Sequence, residues 1–140
     1  MAGWQWFGNL HRKAFELSGG RVGGSLVGMP VLLLTTVGRR SGARRTTPMP
    51  FYANGGRFII VGSNNGGPRD PAWWLNLQAD PDAEIQLRGA RHRVVARLAE
   101  GEERARLWPL LTAFNPRYVH YAQKTERLIP VVILETRADP

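Results

Sequence analysis

The chain contains no cysteine, which removes disulfides, thiolate metal sites and cysteine nucleophiles and says little about compartment. Its three histidines, His11, His92 and His120, are too scattered for a metal-ligand spacing, and each reads as a surface or half-buried ring. No stretch approaches the ~20 continuous apolar residues of a spanning helix. The N-terminus also lacks the charged, apolar and small-residue order of a signal peptide. A soluble, cytoplasmic protein is the expectation. The most informative absence is acidic. Between positions 17 and 69 there is no Asp or Glu, while Arg21, Arg39, Arg40, Arg44, Arg45, Arg57 and Arg69 all fall inside. The positive field there is locally unopposed.

What is present fits one ordinary domain of 140 residues, and 43% hydrophobic with 21% charged residues is the balance of a globular chain. A net charge of +8 favours anionic partners: nucleic acid, an acidic membrane surface, or a phosphorylated or polycarboxylate small molecule. Residues 4–17 read as a helix with Trp6, Leu10, Ala14 and Leu17 on one stripe, stopped by Gly19 and Gly20 and followed by a Ser/Gly-rich connector. The chain therefore divides into an N-terminal helix and connector, 1–29, and a main domain, 30–140. Strands are expected at 31–37, 49–53, 57–62, 83–88, 91–98 and 129–136. Asn54-Gly55-Gly56 and Gly89-Ala90 supply hairpin turns. A short helix opens at Asp70 as N-cap with Pro71 at its first position. Helices are also expected at 100–114, kinked at Pro109, and at 116–124. The fold class is mainly β with inserted helices, an antiparallel barrel of about six strands.

Two stretches carry chemistry. Arg39, Arg40, Arg44 and Arg45 surround a Ser41-Gly42 turn directly after an apolar strand. An arginine cluster is commonly a solvated face. Here the cluster contains no lysine, guanidinium forks suit bidentate capture of phosphate and carboxylate, and Ser41, Thr46 and Thr47 add hydroxyls and backbone N–H groups. The glycine spacing and lysine of a nucleotide-hydrolase loop are missing, as is a Rossmann fingerprint. The second stretch is Val61-Gly62-Ser63-Asn64-Asn65-Gly66-Gly67, which precedes the helix containing Trp73 and Trp74. It is either a plain turn or a ring-binding surface beside the N–H groups of a helix N-terminus, and one of the two tryptophans is expected to be core.

The ordered set formed by 33–42, Arg45-Thr46-Thr47-Pro48, Val61-Gly62-Ser63-Asn64, Pro71-Ala72-Trp73-Trp74-Leu75-Asn76-Leu77, Tyr118, Tyr121 and Ile129-Pro130-Val131-Val132 resembles the deazaflavin-dependent nitroreductase family. The likeness covers roughly 30–134. It implies a split β-barrel binding coenzyme F420, a deazaflavin with a phosphate and a poly-glutamate tail. By the family's pattern, Arg39, Arg40, Ser41, Arg45, Thr46, Thr47 and Pro48 hold the phosphate and tail. Val61, Gly62, Ser63 and Asn64 face the ring, and Ala72, Trp73, Trp74, Leu75 and Asn76 complete the pocket. The implied activity is hydride transfer from the reduced deazaflavin to a conjugated acceptor such as a quinone, enone or nitroaromatic. Ser63, Tyr118 and Tyr121 match the family's positions for hydroxyl donors that assist the acceptor. Packing on a C-terminal helix is the alternative for the two tyrosines. Asn64 and Asn115 stand where the nitroimidazole-activating member carries a basic and an aromatic residue, a departure that bears on the choice of acceptor.

The stripe of Trp4, Trp6, Phe7 and Leu10 beside Arg12 and Lys13 fits either an interfacial helix that meets a membrane quinone pool or a helix packed on the barrel or on a second copy in a homodimer. Two readings from other classes use the same features. A flavin mononucleotide- or haem-binding split barrel would need the same frame. A nucleic-acid module would use the charge, but the aromatics do not interleave with the arginines as a stacking platform requires, so no nucleic-acid partner is expected.

Overall fold

A computed structural model describes residues 29–137 of the chain. The N-terminal helix, its connector and the domain division drawn at 29/30 fall outside or at the edge of the described residues. Seven strands follow: β1 (Val31–Val37), β2 (Arg44–Pro50), β3 (Tyr52–Asn54), β4 (Arg57–Val61), β5 (Asp82–Leu87), β6 (Ala90–Leu98) and β7 (Val131–Thr136). Three helices accompany them: α1 (Ala72–Ala79), α2 (Gly101–Phe114) and α3 (Arg117–Lys124). The strands form one antiparallel sheet in the order β2-β1-β5-β6-β7-β4-β3, curled into a half-barrel.

The sequence reading gave about six strands, and the seventh is β2. No strand was expected over 44–48, and β2 accommodates Pro48 and Pro50 because it is an edge, where proline is tolerated. Lying two residues apart, the two prolines share one parity, so their missing N–H groups need face no partner. The expected strand at 49–53 is consequently divided at Phe51, half in β2 and half in β3. The arginine segment is thus half turn and half strand. The β3–β4 hairpin turns at Gly55 and Gly56 (φ 59 and 78), as Asn-Gly-Gly predicts. The β5–β6 turn sits one residue earlier than expected, at Arg88 and Gly89 (φ 51 and 83), so an arginine takes a left-handed position.

Strand alternation sorts the core into two layers. Leu32, Leu34, Met49, Ile60, Ile85, Val94, Ala96, Val132 and Leu134 share one face of the sheet and bury against Trp74 and Leu77 of α1. Ile59, Val131 and Ile133 share the other face, under Leu107 and Leu111 of α2 and Tyr118 of α3. Each fully buried aliphatic side chain contributes about 1.5–3 kcal/mol, so β4 and β7, which serve both layers, anchor the molecule. The helix α2 continues through Pro109, whose ring lies on an exposed face where the carbonyl it deprives of a partner meets water. Glu103 ties this helix to the sheet, accepting from Arg97 at 2.6 Å and from Arg57 at 3.1 Å. The hydrogen bond from Arg97, then that from Arg57, lowers the Glu103 carboxyl to about 2.

Candidate cofactor site

The hairpin between β1 and β2 closes tightly. Gly38 N donates to Ala43 O at 2.7 Å, Gly42 N donates to Gly38 O at 2.8 Å, and Ser41 Oγ accepts from Ala43 N at 3.1 Å. Gly42 has φ +72, a conformation that glycine takes without strain. The turn is also held from outside. Asn76, 3% exposed on α1, accepts from Arg39 N at 3.1 Å and Arg39 Nη1 at 3.0 Å through Oδ1, while its Nδ2 donates to Thr36 Oγ1 at 3.2 Å. Thr46, expected beside the ligand, faces a buried Thr35, the two hydroxyls 2.8 Å apart.

Between this hairpin and α1 lies a cavity of about 1030 Å³. Arg39, Arg40, Arg44 and Arg45 line it together with Ser41, Thr46 and Thr47, and Ala72, Trp73 and Asn76 form the α1 side. No Asp or Glu lines it. Arg44 has Glu84 at 3.7 Å, whereas Arg39, Arg40 and Arg45 have no carboxylate partner among the described residues. An anion shared among these three guanidiniums would pair with donors that have no carboxylate. The donor set and volume fit a large polyanion, and Trp73 in the lining offers a flat face for a ring. Pro48, in β2, lies outside the lining.

Val61, Gly62, Ser63 and Asn64 do not line that cavity. They end β4 and enter a 3-10 turn at Asn64–Gly66 that leads towards α1. A Cβ on Gly62 would stand 2.6 Å from Pro130 Cγ and 3.5 Å from Pro71 Cδ, so only glycine fits between β7's approach and the start of α1. Ser63 is half-buried and Asn64 exposed. Of the α1 residues, Trp73 is half-buried and lines the cavity, Trp74 is core, and Leu75 is half-buried away from the lining. Asp70 was read as the helix N-cap, and the structure corrects this. Pro71 occupies the cap without a side-chain bond, and Asp70 instead pairs with Arg127 at 2.8 Å. A cation within hydrogen-bond reach competes successfully for a carboxylate that a cap position would otherwise use.

Arg127 is the residue that sequence reasoning missed. Its guanidinium also donates to Ser63 O at 2.8 Å, Gly67 O at 3.0 Å and Gly62 O at 3.2 Å. The single hint in the sequence was that Asp70 is the first acid after a long acid-free stretch, with nothing to name its partner.

Tyr118 is 4% exposed, in the layer with Leu107, Leu111 and Ile133, and burial raises its phenol above the ordinary range despite a hydrogen bond from Asn115. Tyr121 is half-buried on α3, whose backbone meets the 3-10 turn: a Cβ on Gly66 would lie 3.1 Å from Tyr121 O. Neither tyrosine lines the cavity, but α3 brings Tyr121 against the loop that follows Ser63.

Comparison with known proteins gives a consistent result. The profile of the family described as F420H(2)-dependent quinone reductase matches residues 6–136. An F420H(2)-dependent quinone reductase of Mycobacterium tuberculosis H37Rv is 38% identical over 132 residues, covering 91% of this chain and 89% of the relative. A solved F420-H2 dependent reductase superposes with a TM-score of 0.69 at 38% identity, over 76% of this chain and 94% of that one. A structure described as a domain-swapped dimer superposes at 0.70 with 34% identity, over 91% and 98%. The heme storage protein HutZ of Vibrio cholerae, at 0.59 and 17% identity, shares the fold alone. The matching family is thus labelled by quinone reduction, where the motifs alone suggested the nitroreductase label. The chain belongs to the F420H(2)-dependent quinone reductase family.

Proposed function

We propose that the chain is an F420H2-dependent reductase whose acceptor is a quinone. The observation that carries this reading is the cavity of about 1030 Å³ lined by four arginines and no acid, walled on its other side by Trp73. Arg39, Arg40 and Arg45, with Ser41, Thr46, Thr47 and Pro48 around them, hold the phosphate and tail. Val61, Gly62, Ser63 and Asn64, with residues 72–76, hold the ring. Reduced F420, when bound, supplies a hydride to the acceptor.

The protein's own share is placement and charge. The buried Asn76 fixes Arg39 in one rotamer before any ligand arrives, which lowers the ordering cost of capturing an anion. The Ser63 hydroxyl and the half-buried Tyr121 are the polar groups best placed to donate to an acceptor oxygen, since both lie on the loop and helix that meet at Gly66. Tyr118, buried and with its phenol pushed upward, stays protonated and serves as a neutral donor behind them.

The test is a fluorescence titration with F420 and with flavin mononucleotide, followed by turnover of the reduced deazaflavin against quinones, enones and nitroaromatics. F420 binding with quinone turnover is the expected result. Binding of flavin mononucleotide alone would overturn the cofactor, and turnover confined to nitroaromatics would overturn the acceptor.

A further inference from the structure

We infer that Arg127 is a positioning residue for the ring side of the site, acting through the loop at 62–67. The inference rests on the F420 reading above. Arg127 lies between α3 and β7 with its side chain 15% exposed. One guanidinium reaches the carbonyls of Gly62, Ser63 and Gly67 and the Asp70 carboxylate. Gly62 and Ser63 belong to the segment proposed to face the ring, and Gly67 and Asp70 lie on the stretch that joins it to α1.

That segment needs such a clamp. Asn64, Asn65 and Gly66 follow one another with φ of 46, 54 and 76, and two of the three are not glycine. Consecutive left-handed residues persist only where surrounding contacts over-determine them. The local bonds are few: Gly66 N donates to Ser63 O, Gly67 N to Asn64 O, and Asn64 Nδ2 to Arg69 O. The long-range bonds come from Lys124, whose Nζ donates to Asn65 O at 3.4 Å, and from Arg127, whose three carbonyl contacts bracket the left-handed run on both sides. The ion pair of Arg127 with Asp70 also cancels its charge, so it adds little to the field of the arginine cavity and is unsuited to anchoring the phosphate. Loss of Arg127 should therefore spare cofactor capture and misplace the Ser63 side of the site.

Arginine and lysine separate the two roles. Lysine keeps the charge and a bond to Asp70, but a single ammonium cannot span four acceptors that a planar fork reaches together. In the full chain carrying Arg127→Lys, amide hydrogen exchange without cofactor should accelerate about tenfold at 63–67 and stay unchanged in the β1–β2 hairpin. The F420 Kd should stay within about threefold while kcat for a quinone falls about tenfold or more. Asp70→Asn, which leaves the guanidinium in place, should give smaller changes of the same pattern and serves if the lysine variant fails to fold. Exchange at 63–67 and kcat both at wild-type values would overturn the inference. So would a loss of F420 affinity equal to the loss in kcat with exchange raised uniformly across the sheet. Failure of the wild-type chain to bind F420 is visible before any substitution and overturns the functional reading, and the positioning role with it.

Discussion

The turn at 38–43 and the loop at 62–67 flank the same helix, α1, yet they are held by different means. The first is a hairpin turn closed by its own backbone and by Ser41, with Asn76 as one added clamp. Its arginines project from a local frame into a cavity without acids. The second is a run of left-handed residues held from outside by Arg127 and Lys124, about sixty positions further along the chain. The charge of Arg127 is neutralised on the spot by Asp70. On the proposed reading, Asn76 need hold only Arg39, because the charge of the other exposed guanidiniums acts on an anion over a range. The proposed placing of an acceptor over a reactive carbon tolerates less displacement, which fits a loop fixed from outside at several points.

Removing the cavity arginines has the largest expected effect. Arg40→Ala with Arg45→Ala should weaken F420 binding by about 2–6 kcal/mol, from two charged contacts, while the melting temperature holds because both side chains are exposed. Asn76→Ala should cost about 1–3 kcal/mol in stability, since it strands the Arg39 N–H and the Thr36 hydroxyl, and should weaken F420 binding through the released Arg39. Calorimetry and titration of one variant read both effects.

Glycine substitutions sharpen the contrast. Gly62→Ala drives a Cβ to 2.6 Å from Pro130, an overpacking cost of about 1–3 kcal/mol by denaturant unfolding. Gly42→Ala meets nothing within 4 Å, and its left-handed φ alone should cost about 1 kcal/mol. Equal losses at the two positions would erase the distinction between a loop confined by packing and one confined by its own backbone.

The smallest expected effect lies outside both loops. Glu103 has its pKa lowered from 4.5 to about 2 by Arg97 and Arg57, so the stability it lends is complete above about 4.5 and is lost as pH falls toward about 2. Melting temperature followed across that window should fall less steeply in Glu103→Gln, and the difference should be small because the network faces water.

These differences also mark what could be read from the sequence. Val31–Val37 was legible because a run of branched residues bounded by Gly38 has one reading, and the β3–β4 hairpin because Asn-Gly-Gly encodes its own turn. The arginine cavity was legible because composition over a few adjacent positions determines its charge. The strand β2 carries Pro48 and Pro50, which only an edge tolerates, and edge position belongs to the sheet order and to no local pattern. Asp70 looked like a cap because its competitor, Arg127, is distant in sequence. The burial of Tyr118 likewise depends on where α2 lies over β4 and β7. The resemblance in motif order carried the cofactor further than any local pattern did, and the family match over 6–136 then moved the label from nitroreductase to quinone reductase.

On the proposed function, the arginine cavity anchors the cofactor by its phosphate and tail. This anchoring is tested most directly by comparing the affinity of the wild-type chain for F420 with its affinity for the same deazaflavin lacking phosphate and tail. F420 should bind at least about tenfold more tightly, the equivalent of one charged contact. Equal affinities would place the anchor elsewhere and contradict the account.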